Sequence, residues 1–117
     1  MKSAVNFQPL QILCLEHDRL RLYVEVIQVA EPRQMCWVRP LMLAEIEDLS
    51  AFRLTLRQDL RQCADLLWPI DAFRAAIDTE VLPLLAQLGE TVPPEAARTA
   101  RQQLQLLMQQ VWQSNQA

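Results

Sequence analysis

Residues 20–26 read LRLYVEV, a stretch that repeats with a period of two. Successive side chains of an extended chain point to opposite faces. Leu20, Leu22, Val24 and Val26 therefore share one side, and Arg21, Tyr23 and Glu25 share the other. That alternation predicts a half-buried strand. It recurs at 52–57, FRLTLR, with Phe52, Leu54 and Leu56 inward and Arg53, Thr55 and Arg57 outward. Gln11 to Leu15 and Met35 to Leu43 are more uniformly apolar, as more deeply covered strands are. Glu16–Arg19 and Ala30–Arg33 fit turns between them, and Cys63 to Trp68 fits a last short strand ended by Pro69. Five short strands in about sixty residues predict a small, strongly bent antiparallel sheet or an SH3-like or Sm-like barrel. This half contains no glycine, which tight barrels use at bulges and corners, so closure stays open.

After Pro69 the period changes. Phe73, Ile77, Val81, Leu84 and Leu88 recur at spacings of three and four, predicting a helix with Asp71 as its N-cap. Pro83 predicts a kink, and Gly89, the only glycine, a left-handed C-terminus. Thr91 to Glu95 opens a final helix whose apolar positions are Ala97, Ala100, Leu104, Leu107 and Val111. Much of its remaining surface is glutamine. The expected architecture is one α+β domain: a β-rich part over 8–69, then a C-terminal two-helix hairpin over 70–117.

Composition narrows the function classes. A chain of 117 residues that is 51% hydrophobic and 21% charged is globular rather than disordered. No window approaches a membrane span, and the first residues lack the apolar core of a signal peptide, so a cytoplasmic location is the expectation. Three widely spaced cysteines, Cys14, Cys36 and Cys63, suit a reducing compartment better than a disulfide scaffold. Residues 1–63 carry eight basic and eight acidic side chains, and the net charge of −3 lies wholly in the second half. Neither half has the strongly basic surface of a non-specific nucleic-acid binder.

Catalytic chemistry is poorly supplied. A single glycine rules out phosphate-cradling loops, the lone His17 sits in an expected turn, and the cysteines lie in or beside apolar runs. Cys14 and His17 with the other cysteines lack the close paired spacing of a structural zinc site. The chain is read as a non-enzyme, with no cofactor and no metal.

Two surfaces remain for binding. Arg21, Tyr23, Trp37, Arg39, Arg53 and Arg57 occupy outward positions of the expected strands. Aromatics there can stack unpaired bases while arginine tracks the phosphates, and Tyr23, Trp37, Arg39, Arg53 and Arg57 form that nucleic-acid alternative. The competing reading lays the Arg39 stem along Trp37, pairs its head with Glu25, and lets Pro40 blunt the strand against further pairing. On the last helix, Trp112 lies off the main apolar stripe, with Leu106 and Met108 beyond its narrow seam. Tryptophan and methionine are over-represented where proteins meet.

RLYVEVIQ with CWVRPL, DLRQCADLLWP and DTEVLPLL resembles small uncharacterised cyanobacterial proteins over most of the chain. Residues 86–96, AQLGETVPPEA, resemble the helix–turn–helix joint of the Rubisco assembly chaperone family RbcX over about a tenth of the chain; nothing of that family's function is carried over. The functional expectation is a protein–protein interaction module, in the guise of an adaptor or assembly factor. Its partner surface is Met108 and Trp112 or the face of Trp37 and Arg39, and its partner is a protein of unspecified identity, a second copy included. RNA or single-stranded nucleic acid is the alternative.

Overall fold

β1 (Ile12–His17) and β2 (Leu20–Ala30) are an antiparallel hairpin whose chain reverses at Asp18, in the left-handed region at φ 52°. Aspartate tolerates that conformation better than most residues. A single 3₁₀ turn at Glu31–Arg33 leads to β3 (Met35–Asp48), which pairs with β2 along most of its length. The opposite edge of β3 is shared: β4 (Arg53–Asp59) pairs with its second half and β5 (Leu66–Pro69) with residues 35–38. β6 (Arg74–Ala75) pairs with β1. α1 (Asp78–Leu85) and α2 (Pro94–Gln116) complete the fold of the computed structural model, which describes residues 6–116. Met1–Val5, and Ala117 at the end of the expected helical part, lie outside the described residues.

The six-stranded antiparallel sheet is open, with strand order β4-β3-β2-β1-β6 and β5 beside β4 on β3. β4 and β6 end the row and do not pair, so no barrel closes. The bending expected of a barrel is instead concentrated at register shifts, two between β2 and β3 and two between β3 and β4. An extra residue on one strand bends it and raises its twist. One shift explains the uniformly apolar MCWVRPLML: Leu41 is the extra residue, so Val38 and Met42, both even, lie on opposite faces. Pro40 does not blunt an edge, because β3 is paired on both sides. It falls between the end of β5 pairing at Val38 and the start of β4 pairing at Met42, where a missing donor disturbs the ladder least.

The pleat divides the core in two. Leu22, Val24 and Val26 of β2, Leu13 and Leu15 of β1 and Val38 of β3 pack with Leu104, Leu107 and Val111 of α2. On the other face Tyr23, Cys14, Met42 and Ala44 pack with Val81 and Leu84 of α1. The helices are thus separated by the sheet, and the expected two-helix hairpin does not form. Their connection rounds the sheet beside the end of β4, where Arg61, held by Asp59 at 2.6 Å, donates to the Gly89 carbonyl. No glycine of the described chain takes a left-handed φ, so Gly89 is not a helix terminator; Leu10, Asp18, Gln34 and Phe52 occupy that region instead.

The first helix also begins later than its periodicity predicts. Ile70–Ala72 is a 3₁₀ turn, Arg74–Ala75 is extended, and α1 starts only at Asp78, so Asp71 is not an N-cap. α1 runs through Pro83 without a break and stops two residues later. A buried polar clamp fixes this start. Glu80 is 4% exposed and accepts from the Tyr23 hydroxyl at 2.6 Å, from the Arg74 Nη1 and Nη2 groups at 2.8 and 3.0 Å, and from the Ile77 backbone N–H at 2.9 Å. Arg74 Nε also donates to Glu16 at 2.7 Å, which ties the clamp to β1. Burial alone pushes the Glu80 carboxyl up, but the bonds from Arg74, Tyr23 and Ile77 outweigh it and hold the pKa down to about 2.

Removing one partner from such a clamp leaves an uncompensated buried charge. Arg74→Ala, which leaves the Glu80 carboxylate buried without its cation, is expected to cost about 3–5 kcal/mol in urea unfolding, and Tyr23→Phe about 1.5–3 kcal/mol. Because the folded pKa lies below the ordinary 4.5, the Glu80 contribution is complete above pH 4.5 and is lost as pH falls through about 2. Glu80→Gln is therefore expected to flatten the stability profile across that window, and an unchanged slope contradicts the clamp.

Candidate functional site

α2 covers its face of the sheet incompletely. Its buried residues Ala97, Ala100, Leu104, Leu107, Met108 and Val111 form one stripe, and the flank beside Met108 faces β5 across an open cleft. What remains is a groove of about 820 Å³ between the two elements. Alternation along β5 turns Leu66 and Trp68 toward α2 and leaves Leu67 on the far side, 59% exposed. Leu66, Trp68, Leu104 and Met108 give the groove its apolar floor. Trp112 stands at one end, 53% exposed, with its ring edge-on to Trp68 at 6.1 Å between centroids and 71° between planes. That arrangement matches the ring quadrupoles and holds both indoles in place.

The rim is polar. Asp65 stands on the β5 side and Arg101, Gln105, Gln109 and Gln113 on the helix side. Asp65 accepts from the Trp37 indole at 3.1 Å, whereas Arg101 makes no ion pair among the described residues. Trp68 Nε1 is buried with no hydrogen-bond partner among the described residues. An apolar floor with a few polar groups at its edge suits a bound apolar side chain or peptide.

The sequence-predicted site residues fall into different places. Met108 and Trp112 both line the groove, Met108 on the floor at 8% exposure and Trp112 at the rim. Leu106 is not with them: at about 100° per residue it lies about 120° around α2 from Trp112, on the outward surface. Trp37 and Arg39 lie on the α1 side of the sheet, beyond the part that α1 covers. Arg39 Nη1 meets Glu25 Oε1 at 3.4 Å, its direct cross-strand neighbour, as the competing reading had it.

The nucleic-acid set is not one surface. Tyr23, expected outward, is fully buried under α1 and holds Glu80, because both faces of this sheet are covered at its centre. Arg57 is engaged by Glu45 at 2.8 Å and Glu47 at 2.6 Å, and Arg53 lies 3.7 Å from Asp48. Several charges of the first half are thus paired across strands. Trp68, Leu66 and Arg101 were missed as site residues. Trp68 is a tryptophan at a strand end before a proline, a visible signal, but its partner Trp112 is 44 positions away and only folding joins them.

Chemistry at buried groups is suppressed. Burial pushes the Cys14 thiol up to about 12, and Glu80 is wholly engaged in the clamp. Burial also raises Cys36 and Cys63. Among the described residues no group of three or more histidine, cysteine and carboxylate side chains is placed to hold a metal ion. No helix there is long and apolar enough to cross a membrane. A thiol reagent at mildly alkaline pH is expected to label one cysteine per native chain, the half-buried Cys63, and all three after denaturation. Rapid native labelling of Cys14 or Cys36 contradicts the packing.

Comparison of the chain with protein-family models, with curated proteins and with solved structures finds no match.

Proposed function

We propose that this protein is a non-catalytic interaction module, in the manner of an adaptor or assembly factor, that receives an apolar segment of a protein in the groove between β5 and α2. The observation that carries the reading is the pair Trp68 and Trp112 over an apolar floor in a groove of about 820 Å³. Aromatic anchors in desolvated pockets dominate binding energy at protein interfaces, and polar groups around them exclude water. The pairing of Arg39, Arg53 and Arg57 with carboxylates favours a protein ligand over a polyanion, since each phosphate contact would have to displace an existing partner.

A photo-reactive residue in place of Gln109, at the groove rim, tests this in the native host. The expected result is a discrete protein adduct that survives nuclease and high salt and is lost when Trp112→Ala is added. The same residue in place of Thr99, on the outward surface of α2, is expected to give none. Equal adducts from both positions, or one that disappears with nuclease, overturns the proposal.

A further inference from the structure

We propose that the occupant of the groove is a second copy of this chain, bound across a two-fold axis with the two α2 helices antiparallel; the inference rests on the groove being a protein-binding site. The argument starts from charge. Arg101 is the last charged side chain of α2: from Gln102 to Gln116 every residue is neutral. A two-fold interface places each residue of a patch opposite its own mirror position, so a patch of one charge sign repels its copy. This flank of α2 presents Gln105, Met108, Gln109, Trp112 and Gln113, and meets its copy without that penalty.

The one charge on the helix side of the groove sets the register. The last four carbonyls of a helix have no intrahelical partner and carry the negative end of its dipole, which a cation stabilises. α2 has no basic residue in its last turn. The groove runs along α2 from Arg101 to Gln113. A two-fold axis crossing at the level of Leu107, midway between them, sets the Arg101 guanidinium of each copy against the other copy's Gln113 and the carbonyls that follow. It also brings Trp112 of one copy beside Arg101 of the other, where an indole face and a guanidinium attract, and faces Gln105 with Gln109, whose amides donate and accept in turn. Arg101, which makes no ion pair among the described residues, the last-turn carbonyls of α2 and the half-exposed Trp112 are each satisfied by one symmetric contact.

Analytical ultracentrifugation of the full chain across a concentration series tests this. The expected species has twice the chain mass of 13.5 kDa and dissociates on dilution. Gln113→Glu places a carboxylate opposite Arg101 twice per dimer and is expected to tighten association about tenfold, with about threefold from each site; Gln113→Lys is expected to loosen it by a similar factor. Residue 113 is exposed, so both variants keep the wild-type fold by circular dichroism. Arg101→Glu loosens the dimer, and adding Gln113→Lys to it restores association. Monomers at every concentration overturn the inference, and so do Gln113 variants that shift association in the same direction. A monomer that still gives the Gln109 adduct with another protein overturns self-association and leaves the groove as an interaction site.

Discussion

The pleat of β2 is the constraint on which the rest of the molecule depends. Leu22, Val24 and Val26 face one way and Tyr23 the other, and all four are fully buried. A strand buried on both sides needs a cover on each, and the chain has two helices to supply them. Each helix therefore takes a face of its own, and neither can shield the flank of the other. The groove beside Trp112 is a direct consequence, since a paired hairpin would have given that flank a neighbour. The groove and the fold share this one cause.

The two faces are held differently. α2 is long and docks by apolar burial, at about 1.5–3 kcal/mol for each large side chain removed from water. α1 spans only eight residues, too few to be stable by itself, and contains a proline. Its anchor is the carboxylate of Glu80 in its first turn, which bonds to β2 through Tyr23 and to β1 through Arg74 and Glu16. Replacing such a set with apolar residues is often neutral, so its role here is to fix where α1 starts and which face it takes. The smaller groove of about 200 Å³ between α1 and Phe52 of the β3–β4 turn has Glu80 at its inner wall, already saturated with donors.

Local pattern carried much of this into view. Strands at 20–26 and 53–57 and the last helix follow from alternation and from steps of three and four after Pro94, although Phe52, expected inward, turns left-handed before β4 and is half-exposed. The segment 70–77 did not, because Phe73 and Ile77 fit a helical step although the chain between them is extended to let Arg74 reach Glu16, 58 positions away. Tyr23 was assigned to solvent since alternation tells two faces apart but not whether each is covered. The missed signals were polar residues inside apolar runs, Arg74 in PIDAFRAAI and Glu80 in DTEVLPLL, a half-exposed cation and the buried carboxylate it pairs with rather than a solvated side. Of the site, Met108 and Trp112 were legible from the wheel of α2. Trp68 and the groove itself were not, since they exist only where β5 and α2 meet.

The sheet has the groove on its α2 face, and its other face is exposed around Trp37 and Leu67. Everything assigned to the groove presumes that the sheet stands between the helices. Nuclear Overhauser contacts of side-chain protons test that most directly. The account predicts contacts from the Tyr23 ring to Val81 and Leu84, and from the Val24 methyls to Leu104 and Leu107. Contacts between Leu84 or Leu88 and Leu104 or Leu107 would instead place the helices against each other and contradict it.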